Sequence, residues 1–175
     1  MEPVNLVRVF IASPGDVAAE RVAVVDACSR ANIELGDYLK IRLEAIRWET
    51  HTFPTYGTST QQAIFEQIDF ARLDLFVGIL ADRFGTPTEG PGSGTEAEFT
   101  RAVELHKEQK RPHIMLYFGD KAVQDTQDSA EQRTRVLRFR DSLDRALYQR
   151  YRQDPDGRRS ADLVFADMFR THLSM

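Results

Sequence analysis

Short apolar runs alternate with amphipathic stretches along the chain. Leu6 to Ala12 (LVRVFIA) is apolar and rich in β-branched residues, which predicts a strand. It ends in Ser13-Pro14-Gly15-Asp16, where serine as N-cap, proline at the first helical position and an acid behind it predict a helix start. That helix is expected to reach about Leu35, with Val17, Val24, Val25, Cys28 and Ile33 on its apolar side and Gly36 ending it. Ile41 to Trp48 (IRLEAIRW) alternates apolar and polar residues, as a half-buried strand does. After the polar, aromatic stretch ETHTFPTYGTST, Thr58 or Ser59 opens a helix carrying Ala63, Ile64, Ile68 and Phe70. Leu73 to Leu80 (LDLFVGIL) is nearly all apolar, the pattern of a strand covered on both faces. A glycine-rich loop runs from Ala81 to Gly94. SGTEAEF then opens a helix to about Lys110, with Phe99, Ala102, Val103 and His106 at i, i+3, i+4, i+7 spacing. His113 to Phe118 reads as another buried strand. A long helix is expected from about Ser129 to Tyr151, with a short fifth strand near Ala146 to Tyr151 as the alternative for its end. A last helix covers Ala161 to Leu173.

Strands alternating with helices predict an α/β domain: a parallel sheet of four or five strands with helices on both faces. Ligands of such sheets bind beyond the carboxyl ends of the strands. The loops of interest are therefore Ser13–Asp16, Glu49–Thr60, Ala81–Thr95 and Gly119–Asp128. At 175 residues the chain suits one core, read as a single domain over residues 1–175. Its net charge of -4 provides no general attraction to nucleic acid or anionic membrane. One cysteine, Cys28, excludes an internal disulfide framework. No secretory leader pattern and no run near the ~20 apolar residues of a membrane span is seen, so a cytoplasmic location is expected.

The chain lacks GxxxxGK[ST] and a GxGxxG after the first strand, which disfavours a P-loop NTPase and an ordinary dinucleotide dehydrogenase. It also lacks the GxSxG elbow of a serine hydrolase. The histidines, His51, His106, His113 and His172, are scattered, so no metal site is expected. What remains is a pair of glutamates in SGTEAEF. Thr95 with Glu98, or Ser93 with Glu96, makes a capping box, which is the ordinary use of acids in a first turn. The alternative is that one of them faces the cleft and stabilises an oxocarbenium-like transition state of N-glycosidic cleavage, as carboxylates do in glycoside hydrolysis. Glu98 is the better candidate, because it shares a helical side with the small Ala102 and with Leu105.

The stretches VFIASPGDVAAER (9–21), GTSTQQAI (57–64), DLFVGILADRFGTPT (74–88) and SGTEAEF (93–99) resemble one group of bacterial TIR-like domains, which often stand at the N-terminus of larger NTPase or repeat proteins. The resemblance implies a flavodoxin-like, TIR-type three-layer fold. It implies cleavage of NAD at the nicotinamide–ribose bond, with NAD as substrate and no further cofactor, and Glu98 as the catalytic glutamate. Carried over with it as substrate-binding residues are Ser13 and Pro14 at the end of the first strand, Trp48, Tyr56 and Gly57 in the region of the BB loop, and Arg83 and Phe84 after the third strand. GTEAEFTRA is also similar to the GTxxExGxA pattern of nucleoside 2-deoxyribosyltransferases, which again selects Glu98 but has glycine where this chain has Thr100. The TIR tryptophan–cysteine pair ahead of the glutamate is replaced by Ser93-Gly94-Thr95.

Residues 129–159 carry nine arginines against five acids, a local charge of +4. Helical ion pairs such as Asp141–Arg145, with Phe139, Leu143 and Ala146 as a core stripe, account for most of this, and nucleic acid is not the expected partner. The resemblance implies self-association through TIR-type contacts, activity that depends on assembly, a role in bacterial immune signalling, and a sensor or NTPase region of a longer protein as a further partner. Three functions follow: an NAD hydrolase, a non-catalytic assembly module, and a nucleoside deoxyribosyltransferase.

Overall fold

The computed structural model of the chain describes residues 3–54, 56–57, 59–85, 93–120 and 127–174, with the main chain alone at 127–129 and 146. Strand β1 (Asn5–Ala12) is exposed at its start and buried over its last half. Its alternate residues serve different cores: Phe10 and Ala12 lie on one face, Val9 and Ile11 on the other. Strands β3 (Leu75–Leu80) and β4 (His113–Asp120) sort in the same way. Phe76, Leu80, Leu116 and Phe118 join Phe10, while Val77, Ile79 and Tyr117 join Val9. A strand with both faces dry must be apolar at every position, which is why these runs are legible in the sequence.

The first face is covered by α4 (Thr60–Gln67), α5 (Gly94–Gln109) and α6 (Gln127–Ser142), through Ile64, Ala102, Leu105 and Val136. The second is covered by α1 (Ala18–Glu34) and α7 (Ala161–Leu173), through Val24, Ala27, Cys28, Phe165 and Phe169. With β2 (Ile41–Ile46) and β5 (Tyr148–Arg152) at the edges, the sheet order is β2-β1-β3-β4-β5 and every pairing is parallel. This is the flavodoxin-like order, with its topological switch point between β1 and β3. At the free edge, the Asn32 side-chain amide donates to the Leu43 carbonyl at 2.9 Å and accepts from the Leu43 N–H at 2.7 Å. Among the described residues no helix is long and apolar enough to cross a membrane.

Several expectations are corrected. Ser13 caps no helix: Gly15–Val17 form a 3-10 turn and α1 begins at Ala18. Gly36 does not end the helical run but opens the short α2 (Gly36–Leu39), and the chain reverses at Lys40, which has φ of 52°. Ile33 is 84% exposed. Trp48 leaves β2 and starts α3 (Trp48–His51), a single turn with no buried residue. Helix α6 stops at Ser142, and β5 takes the chain from Tyr148. The reason is packing. Tyr148 packs on the first core and Tyr151 on the second, and residues three apart share a side of a helix but take opposite faces of a strand. The Tyr151 hydroxyl donates to Glu20 Oε1 at 3.1 Å, tying β5 to α1. The expected core stripe survives in Phe139 and Leu143, and the Ala146 side chain lies outside the described residues.

Candidate active site at the carboxyl edge

Helix α5 is capped by Ser93, whose Oγ accepts from the Glu96 N–H at 3.3 Å and donates to the Phe84 carbonyl at 2.7 Å. Glu96 is therefore the third residue of the helix, and of the two candidate caps it is Ser93, not Thr95, that starts it. Its carboxylate turns toward α6, where Arg135 lies 3.3 Å away. Glu98 falls in the second turn, beyond the reach of any capping role. It belongs to the buried side of α5, with Thr95, Ala102 and Leu105.

Glu98 is 3% exposed. Burial pushes its carboxyl up to about 8, against the opposing pull of the Arg21 guanidinium. Among the described residues no hydrogen bond reaches its oxygens, so the charged form is underserved and the proton is held. Arg21 comes from the first turn of α1, on the opposite side of the sheet. Its Nε donates to Ser13 Oγ at 2.9 Å, one Nη donates to the Pro14 carbonyl at 3.0 Å, and the other ion-pairs with Glu49 of α3. Burial, and next Arg47, lower its pKa, while Glu98 and Asp16 raise it.

The loops after β1 and β3 flank the switch point, and Asp16 joins them: its Oδ2 accepts from the N–H groups of Asp82 at 3.0 Å and Arg83 at 3.2 Å. From the other side, Gln132 of α6 accepts the Phe84 N–H at 3.2 Å and Arg133 ion-pairs with Asp82. A buried acid and a cation that acts on it thus lie where a sheet of this order receives ligands, beside main-chain groups pinned in place. That arrangement can hold a proton, release it, and face a developing positive charge.

The expected site residues divide. Ser13 and Pro14 are buried and hold Arg21, and Trp48 stands beside Glu49 on α3. Arg83 is exposed, with its main chain on Asp16. Phe84 is 3% exposed, its ring edge-on to Phe139 at 5.1 Å with the Arg135 guanidinium 5.7 Å from its centroid, which is loop packing. Tyr56 and Gly57 lie in an exposed stretch, and Gly57 has φ of 78°. No contact among the described residues ties them to Arg21 or Glu98. The residues at 86–92, within the expected loop, and Thr58 lie outside the described part. An apolar crevice under the start of α5, lined by Phe76, Phe84, Thr95 and Phe99, holds about 10 Å³, too little for a ligand.

Sequence reasoning missed Arg21; it marked the loops that hold Asp16 and Glu49 but gave neither side chain a role at the site. One signal for Arg21 was present. A cation in the first turn of a helix opposes the helix dipole, so it needs acids from elsewhere, and Arg21 has them.

No curated protein matches the chain. Residues 8–162, from β1 to the start of α7, match the family described as Domain of unknown function (DUF4062), and the chain belongs to that family.

Proposed function

We propose that this domain is an NAD hydrolase that cleaves the nicotinamide–ribose bond, with Glu98 as its catalytic carboxylate. The observation that carries the reading is the position of Glu98: a buried carboxyl with no capping role, beside an arginine, at the carboxyl edge of a flavodoxin-like sheet. The resemblance of its four motifs to TIR-like domains supports the same choice of residue. In the reaction the bond from C1′ to the ring nitrogen breaks and its electron pair leaves with neutral nicotinamide. Positive charge spreads over C1′ and the ribose ring oxygen, and the Glu98 carboxylate faces it. Water adds at C1′ and gives up a proton, so the products are nicotinamide, ADP-ribose and H⁺. The active form is the carboxylate. With the carboxyl at about 8, turnover at limiting substrate rises with pH through that value.

The test is nicotinamide release from NAD by concentrated protein, with and without a crowding agent, for the wild type, Glu98→Gln and Glu96→Ala. Loss of at least ~100-fold in Glu98→Gln alone supports the reading. A second reading, a non-catalytic assembly module, is favoured by Phe53 and Tyr56, which are 68% and 105% exposed in the stretch after α3. Absence of turnover in protein that has assembled establishes that reading instead.

A further inference from the structure

The two outer strands of the sheet are finished differently. On β2 the Asn32 amide occupies the main chain at Leu43. Strand β5 pairs with β4 alone, and among the described residues no side chain or further strand hydrogen-bonds the main chain along its outer side. Such an edge can take an added strand. We propose that β5 and the cleft beside it dock an extended segment of a partner protein in which acidic and apolar residues alternate. This surface is separate from Glu98 and does not rest on the hydrolase reading.

The cleft is lined by Met115 and Tyr117 of β4, by Leu147 and Gln149 at the start of β5, and by His172 of α7. It holds about 190 Å³, more than the roughly 150 Å³ of a cavity that accommodates benzene. One large apolar side chain therefore fits. The Tyr117 hydroxyl lies 2.9 Å from His172 Nδ1 and the two rings stack at 5.9 Å, so this wall is already in place before anything binds. Strand alternation sends Tyr148, Arg150 and Arg152 to the α6 side of the sheet and Gln149 and Tyr151 to the α7 side. A strand laid along β5 alternates in the same way. Its residue level with Gln149 turns to the cleft, and those level with Arg150 and Arg152 meet arginines.

Charge selects the partner. From Arg145 to Arg152 the chain has three arginines and no acid. Arg150 is shared with Asp120 of β4, while Arg145 and Arg152 are exposed and form no ion pair among the described residues. Arginines on an edge discourage indiscriminate pairing. They draw in a strand of opposite sign, and they oppose a second copy of this chain, which brings the same arginines to the same edge.

The probes are fluorescein-labelled seven-residue peptides in which glutamate alternates with valine, leucine, phenylalanine or tyrosine. Lysine replaces glutamate in a control series, and two further acidic series are N-methylated at alternate residues, one for each register. Binding to the full chain is followed by fluorescence polarisation and by backbone amide shifts in NMR. The expected result is that acidic peptides bind, lysine peptides do not, and shifts centre on residues 147–152 and His172. One N-methylated series loses binding and the other keeps it, because a strand turns alternate N–H groups toward its neighbour. Arg145→Glu and Arg152→Glu each weaken binding by at least ~10-fold, and Arg138→Glu, at an exposed arginine of α6, leaves it within about twofold. All three positions are exposed, so the variants fold, which Tm checks. Acidic peptides that bind no better than lysine peptides overturn the proposal, as does an equal loss in Arg138→Glu or equal binding by both N-methylated series. A dimer that forms through β5 without peptide also overturns it, since the occupant is then a second copy.

Discussion

The two sides of the site handle charge differently. On the α6 side, arginines pair directly with acids: Arg133 with Asp82, and Arg135 with Glu96, which is about 40% exposed on each partner. On the α1 side, one guanidinium faces Glu49, Glu98 and Asp16 together, and Glu98 is left buried without a hydrogen bond among the described residues. The first arrangement sets opposite charges side by side and serves to hold a loop. The second keeps a carboxyl out of its comfortable state. Perturbed groups of that kind mark sites of chemistry more often than of scaffolding, and such a site lowers the stability of the domain that carries it.

The largest effect tests that cost directly. Glu98 is raised from 4.5 in the unfolded chain to about 8 in the fold. The folded state therefore holds the proton more tightly. This contribution is complete below pH 4.5, declines as pH rises, and is gone above about 8. At ~1.4 kcal/mol per unit, the full span is on the order of 5 kcal/mol. Glu98→Gln should flatten this slope and leave the variant the more stable protein at pH 9, measured by urea unfolding across pH. A wild-type curve without the slope would remove the buried-acid account.

The other side should respond as structure alone dictates. Ser93→Ala removes a cap and the donor to the buried Phe84 carbonyl, and should cost about 1–2 kcal/mol, read as a drop in Tm. Asp82→Asn, which breaks a half-buried pair while keeping the shape, should cost about 1 kcal/mol, with turnover changed less than in Glu98→Gln. Smallest of all, Glu96→Ala should cost ~0.5 kcal/mol, with NAD turnover within a few-fold of wild type. A loss of turnover in Glu96→Ala as deep as that in Glu98→Gln would exchange the roles assigned to the two residues.

The contrast also separates what could be read from the sequence from what could not. The central strands were legible because burial on both faces demands unbroken apolar runs, and Leu75–Leu80 shows one. Glu98 was legible because it shares the side of α5 that holds Ala102 and Leu105. Strand β5 was hard to see: in YQRYR only the two tyrosines face the cores, and the arginine-rich stretch before it reads as continuing helix. The choice between the two possible caps was open, since Thr95 and Ser93 have the same local grammar. The close fit of Ser93 against the Phe84 carbonyl, a contact outside the helix, decides it. The partners of Arg21 were hidden for the same reason. Its acceptors come from a turn on one strand's end and from a helix after another strand, and no local spacing brings them together.

Asn32 has a consequence for how copies of this domain behave in concentrated solution. A bare outer strand is a template on which another molecule's backbone can crystallise into a shared sheet. Here a single side-chain amide already occupies the Leu43 N–H and carbonyl, as the peptide group of a further strand would. A newcomer that pairs at Leu43 has first to displace that amide and its two hydrogen bonds, so the middle of this outer strand is already taken.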